Sequence, residues 1–274
     1  MYGPTIKKIR LSKNISLKTL YTGICSKTNA IDFEKGNRML SASKFNQVLD
    51  NLMITMEEFL WIDNGYKPTK NAYFRYVIGK AWNKNELSSL DSYVRYLDSR
   101  SDNFSKVQLA SYHLLCNYGK GRLLQPKDIN LISNYFQNLS LWTKEDLVFF
   151  ANTCYLLPYE LMLNLLDEAI SAKKRYKNYS NIDHIFATIL VNCLEKAFDH
   201  NDFIKIKKLL ITLKKFTSDA TMTSYKLFKK YYSARLLYQS DPESGQQELQ
   251  KVLEVANYLD NKIIVDKVNN ILEK

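Results

Sequence analysis

Glycine and proline are scarce in this 274-residue chain, at eight and five. Strand-rich folds use both residues to punctuate their turns, so this scarcity, beside abundant Leu, Lys, Ile and Tyr, predicts long helices joined by short connections. Four cysteines (Cys25, Cys116, Cys154, Cys193) form no CxxC pair, and His113, His184 and His200 are the whole histidine complement. That spacing does not suit a zinc site, and the thiols are read as reduced, mostly buried apolar side chains. No Gly-rich phosphate loop, HExxH or GxSxG stretch occurs, and the carboxylates are scattered without a dyad. The expectation is a protein that is no enzyme and takes no cofactor and no metal. No run approaches ~18 uninterrupted apolar residues, and the opening MYGPTIKKIR lacks the apolar core of a signal peptide, so a cytoplasmic chain with no membrane partner is expected.

What is abundant is positive charge. The formal net charge is +11, which suits a polyanionic partner. Residues 1–44 hold nine Lys or Arg against Asp32 and Glu34 alone, a surplus of seven. Most of the other clustered cations are Lys205, Lys207, Lys208, Lys214, Lys215, Lys226, Lys229 and Lys230, which read as a solvated helix face.

The first sixty-odd residues divide into five short helical patterns. Ile6 and Ile9 lie three apart among Lys7, Lys8 and Arg10, an amphipathic helix with a basic outer face. Ser16 is placed to cap a second helix through Leu17, Leu20 and Tyr21, which Gly23 ends; SKTNAIDFEKG follows and stops at Gly36. A fourth helix is expected from about Ser43, with Phe45, Val48, Leu49 and Leu52 at helical spacing. Thr55 and Glu58 have the spacing of a capping box that opens a fifth, Met56 to Ile62. This is the layout of a helix-turn-helix domain, whose third helix enters the major groove. Ser26 at the start of that helix is then a phosphate ligand, Lys27, Thr28 and Asn29 reach bases or backbone, and Asp32 is the next outward position. Phe33 would plug the core with Ile9, Leu20 and Phe45, and Glu34 would pair with Arg10, so Arg10 and Glu34 are assigned to folding. Leu17 stands where this fold usually has a phosphate-binding Gln, with Lys18 and Lys44 as compensating contacts to double-stranded DNA.

A junction is read at GYKPTKN, giving a DNA-binding domain over 1–64, a linker over 65–71 and a helical-repeat domain over 72–274. Helices are expected to begin near Ala72, Leu87, Ser105, Lys127, Lys144, Tyr159, Ile182, Asn201, Thr223, Glu243 and Lys262. Cys116, Cys154 and Cys193 recur at intervals of 38 and 39, each late in the first helix of a pair, with Asn117, Asn152 and Asn192 beside them. A two-helix unit of that length points to a tetratricopeptide-like α-solenoid, so the fold class is all-α. First helices line the concave face of such a stack. Tyr118, Asn152, Tyr155, Asn192, Lys196, Tyr225, Tyr232 and Arg235 are the candidates there, a set of amide, aromatic and cationic groups able to hold an extended peptide.

IKKIRLSKNIS, ICSKTNAIDFEKG and LDNLMITMEEFL resemble the Rgg/GadR/MutR family of Gram-positive transcriptional regulators. FFANTCYLL, ILVNCLEKAFDHNDFIKIKKLLITL and ESGQQELQKVLEVANYL extend the resemblance collinearly, if more diffusely, nearly to the carboxyl end. It implies a homodimer whose amino-terminal domain reads an operator of inverted-repeat type, and whose repeat domain binds a short, mostly apolar signalling peptide. Lys27, Thr28 and Asn29 fall in the recognition helix, Arg10 and Glu34 in its structural pair, and Asn152 and Asn192 in the segments lining the peptide groove. Lys27 stands where the family more often has Gln. Two other readings of the residues stay open: a protein-interaction adaptor with weak DNA attachment, and a repressor that needs no ligand.

Overall fold

A computed structural model describes residues 1–68, 95–99 and 103–273. The helix starts expected near Ala72 and Leu87, and residues 69–71 of the expected linker, lie outside them. Among the described residues there is no strand, and the chain divides into two compact units, Met1–Ser89 and Leu90–Lys274.

The first unit contains α1 (Gly3–Ser12), α2 (Leu17–Tyr21), α3 (Lys27–Glu34), α4 (Ala42–Asn51) and α5 (Met56–Asp63). Helices this short are marginal in isolation, and a side-chain cap satisfies one orphan N–H at the start of each of the last four. Ser16, Ser26, Ser41 and Thr55 accept from the backbone N–H of Thr19, Asn29, Lys44 and Glu58. The capping box expected at Thr55 is only half formed, because Glu58 is exposed and its carboxylate makes no return bond to the Thr55 N–H among the described residues. Inward faces meet in a core that includes Ile6, Ile9, Leu20, Phe33, Phe45, Val48 and Phe59, all under a tenth exposed. Its aromatic rings interlock edge to face, with Phe45 and Phe59 5.0 Å apart and Phe33 and Phe45 6.3 Å apart. Gly36 ends α3 at φ +83°, a left-handed position that only glycine adopts without cost.

The second unit pairs its helices. Following α6 (Asn103–Gly119) and α7 (Pro126–Gln137) are α8 (Lys144–Thr153) with a 3-10 turn at Cys154–Leu156, then α9 (Tyr159–Ala172). Next come α10 (Ile182–Asp199) with α11 (Phe203–Phe216), and α12 (Thr223–Ser240) with α13 (Pro242–Tyr258); α14 (Lys262–Leu272) follows alone. Each helix start falls within two residues of its expected position. A complete capping box does occur here, where Thr143 and Asp146 satisfy each other's backbone N–H at the start of α8. The first helices stack in series, α8 on α10 and α10 on α12, while α14 packs on α12 and α13. Ten of the eighteen residues of α10 are buried, so it has covered faces on several sides and forms the centre of the stack. Cys154 lies in the 3-10 turn just beyond α8 and not in the helix itself; it and Cys193 are fully buried, while Cys25 and Cys116 are half-buried.

Candidate functional site

The start of α3 is an exposed polar edge above a fixed base. Ser26, Lys27 and Thr28 are exposed and Asn29 and Asp32 are half-buried, whereas Ala30, Phe33 and Glu34 are buried on the opposite side. Glu34 anchors the helix through a bidentate ion pair with Arg10 of α1: Nε donates to Oε1 at 2.7 Å and Nη2 to Oε2 at 2.8 Å. Arg10 Nη1 also donates to the Ile15 carbonyl at 2.9 Å, so the guanidinium ties the α1–α2 connection to α3. The hydrogen bonds to Glu34 push the Arg10 pKa up against its desolvation. Ser26 Oγ is occupied as the acceptor of the helix cap and retains its own O–H for an anion.

Two cations flank this edge. Lys44, in the first turn of α4, is exposed, and so is Arg38, which the sequence reading missed; its Nη1 donates to Asn29 Oδ1. Burial raises the Cys25 thiol, while Lys44 and Arg38 pull it the other way, which locates both charges beside the start of α3. A cation just past the helix-ending Gly36 was the signal available for Arg38. Lys18 is exposed on α2. Leu17, at the position of the usual Gln, is half-buried against the core and gives the surface no polar contact.

On the first helices of the repeat unit the candidates divide. Tyr118 and Tyr155 meet edge to face at 5.3 Å, and Lys196 Nζ donates to the Tyr155 carbonyl at 3.0 Å. Burial holds the Lys196 ammonium below its ordinary value, with Asp199 opposing that shift. Arg235 joins the same neighbourhood through Glu195 at 3.2 Å. Asn152 is exposed, and Asn192 is half-buried with its Nδ2 donating to the Ala151 carbonyl at 2.7 Å, while its Oδ1 accepts no hydrogen bond among the described residues. Tyr225 lies apart from this group, its hydroxyl 2.7 Å from Thr188 Oγ1. Tyr232 is 1% exposed and packs beneath the face, donating to Glu195 at 2.6 Å, so it offers no surface to a ligand.

The sequence reading also missed Glu195, which gathers three partners from two later helices. Besides Tyr232 and Arg235 of α12, Lys267 Nζ of α14 reaches it at 2.8 Å. Burial raises the Glu195 carboxyl, but Lys267, Tyr232 and Arg235 together outweigh it and hold the group below its ordinary value. One turn on, Asp199 has no ion-pair partner among the described residues, and burial and the charge of Glu195 raise its pKa. A carboxyl lowered by folding contributes stability above its unfolded pKa that is lost as pH falls through the folded value. Glu195→Gln should therefore cost about 1–2 kcal/mol at neutral pH, an amount discounted for the partial exposure of the pair. In urea titrations the difference from the parent should shrink once pH falls below the ordinary carboxylate range. A difference independent of pH would mean that charge does not hold this junction.

Residues 80–270 match the family model for the HTH-type transcriptional regulator Rgg, C-terminal domain. The chain belongs to the Rgg family. Solved structures share the fold of this Rgg-family chain over nearly its whole length. A Listeria monocytogenes EGD-e protein at 21% identity covers 99% of this chain and 96% of its own, with a TM-score of 0.83. The Streptococcus dysgalactiae SHP pheromone receptor Rgg2 is 16% identical over 98% of each chain, with a TM-score of 0.78. Bacillus thuringiensis PlcR, solved with the peptide PapR7 and DNA, is 12% identical over 98% of this chain and 99% of that one, with a TM-score of 0.70. Among the described residues no helix is long and apolar enough to cross a membrane, and no group of three His, Cys, Asp or Glu could hold a metal ion.

Proposed function

We propose that this Rgg-family chain is a dimeric, sequence-specific DNA-binding regulator, controlled by a short apolar peptide on the first-helix face of its repeat unit. The observation that carries the DNA half is the two-sided α3. Lys27 and Thr28 are free of the core, while the buried Arg10–Glu34 pair and Phe33 fix the helix from below, so its outward groups are held in one orientation. Lys18, Ser26, Arg38 and Lys44 contact phosphates in this reading and fix register; Thr28 and Asn29 carry the sequence preference, with Asp32 at its edge. The peptide half is supported by the exposed amide of Asn152, the Oδ1 of Asn192, and the grouping of Tyr118, Tyr155 and Lys196. Arg235 borders that group, and Tyr225, apart from it beside Thr188, is a separate candidate contact on α12. The likeness in fold to PlcR, whose structure contains both a peptide and DNA, is in keeping with one chain carrying both functions.

Selection of bound fragments from a random duplex pool by the full-length protein at about 0.15 M salt tests the reading. It should yield an inverted repeat with half-sites a whole number of helical turns apart, as expected for a two-fold dimer. Thr28→Ala with Asn29→Ala should then lower affinity for that site by about one to two orders of magnitude without changing the melting temperature, since each base contact is worth about 1–3 kcal/mol. Recovery of no motif, with binding that depends steeply on salt alone, would favour the adaptor reading. A motif whose binding no short apolar peptide alters would favour a ligand-independent repressor.

A further inference from the structure

The positive charge of this protein is concentrated in two places. Besides the surplus of seven in residues 1–44, residues 203–230 hold eight lysines against Asp219 alone, another surplus of seven, so the rest of the chain is net negative. The second concentration lies on α11, the second helix of its pair, and on the first half of α12. Ile206, Leu209, Leu213 and Phe216 of α11 are buried and hold the helix to the repeat core. Its outer face carries Ile204, Lys207, Lys208, Ile211, Lys214 and Lys215, all exposed. Each member of this set recurs seven residues later, 204 with 211, 207 with 214 and 208 with 215, so the outer face is an apolar seam flanked by lysines over two heptads.

The seam is unsatisfied in two respects. Ile204 and Ile211 are 72% and 61% exposed, which leaves branched aliphatic surface in water. None of the four lysines makes a salt bridge among the described residues; Lys208 acts on the Asp202 carboxylate at the start of α11 through its charge alone. Lys226, Lys229 and Lys230 extend the charge across α12; burial, then Lys230, Lys214 and Lys226, hold the Lys229 ammonium below its ordinary value, so Lys214 of α11 and the α12 lysines share one surface. At the far end of α11, Lys173 Nζ lies 3.7 Å from the centre of the Phe216 ring, which brings the basic 173–177 segment alongside.

We infer that the outer face of α11 is a docking surface for an acidic amphipathic helix of another protein, whose apolar ridge packs on Ile204 and Ile211 between carboxylates that meet the flanking lysines. Charge complementarity demands an anionic partner, and the regular apolar seam selects among the anionic classes. A phosphate backbone would use the lysines and leave the isoleucines in water. A bilayer surface requires a broad apolar face, and that face of α11 is already committed to the core. A second copy meeting the same patch across a two-fold axis would set lysine against lysine. A helix with apolar residues at i, i+3, i+4 and i+7 and Glu or Asp beside them matches both seam and charge.

The test uses the full-length protein and a fluorescent synthetic helical peptide carrying leucines at heptad spacing flanked by glutamates, read by anisotropy at about 0.15 M salt. Saturable binding is expected, weakened about tenfold or more by I204S with I211S and abolished by K207E with K214E. All four side chains are exposed, so both variants should keep the parental melting temperature and far-ultraviolet dichroism. A control peptide with serine in place of leucine should bind at least about tenfold more weakly. Equal binding of the serine peptide, or no effect of I204S with I211S, would reduce the surface to bulk electrostatics and overturn the proposal. It would also fail if the leucine peptide did not bind while a random-sequence duplex, or vesicles of anionic phospholipid, bound the parent and not K207E with K214E. These readouts do not depend on operator or peptide binding at the other sites.

Discussion

Glu34→Gln should destabilise the amino-terminal unit by about 3–5 kcal/mol, because it leaves the buried Arg10 guanidinium without a counter-charge. Arg10 and Glu34 are 7% and 5% exposed, and two parallel hydrogen bonds join them. The glutamine can still accept one of those bonds, but it cannot offset a desolvated positive charge. Amide hydrogen exchange of the full-length protein reads the effect locally: protection in α1 and α3 should fall by more than about a hundredfold while α10 keeps its protection. The companion variant, Arg10→Met with Glu34→Leu, removes both charges together and should recover most of the loss. A decrease in protection below about tenfold for Glu34→Gln would mean that the pair contributes no more than an ion pair at the surface. Operator binding should decline with the fold, since the same pair holds α3 in place.

Gly3→Ala should cost about 3 kcal/mol, for a reason no helix propensity suggests. Alanine is ordinarily the better helix former, and Gly3 lies in the first turn of α1, where the exchange would be expected to help. A Cβ built at Gly3 would lie 1.6 Å from the Phe33 carbonyl oxygen and 3.2 Å from the Glu34 Cα, both backbone atoms at the end of α3. Neither can rotate away, so α1 must lift from α3 and loosen the Arg10–Glu34 pair with it. The melting temperature of the unit and the exchange protection of α3 should fall together. A stabilised Gly3→Ala protein would mean that the first turn of α1 is free to move off α3. Glycine at position 3 reads locally as a turn residue, and its role as a contact point depends on a partner thirty residues away.

Much of the fold was legible because its causes are local. Ser16, Ser26, Ser41 and Thr55 each satisfy an N–H three residues on, and the apolar spacing of Ile6 with Ile9, or of Phe45 with Val48 and Leu49, declares the buried face of its helix. The two-helix repeat was legible through its period, since each pair must bury a similar face against its neighbour. At α3 the same locality separates the exposed Lys27 and Thr28 from the buried Phe33 and Glu34. On the repeat unit it was insufficient: Tyr232 and Arg235 are spaced alike for an inner face, yet the tyrosine is buried beneath it and the arginine lies half-exposed at its rim.

The sequence by itself therefore determined the helical class, the caps at Ser16 and Thr55, the buried faces of the amino-terminal helices and the repeat, all set by interactions within a turn or two or by a pattern that recurs. Only the tertiary structure decided which polar groups remain available. Asn192 bonds a carbonyl 41 residues back, and Glu195 takes Lys267 from 72 residues ahead. A side chain's free hydrogen-bonding capacity depends on what the stacked helices bring against it, and those neighbours lie one or two repeats away along the chain, beyond the reach of any local periodicity.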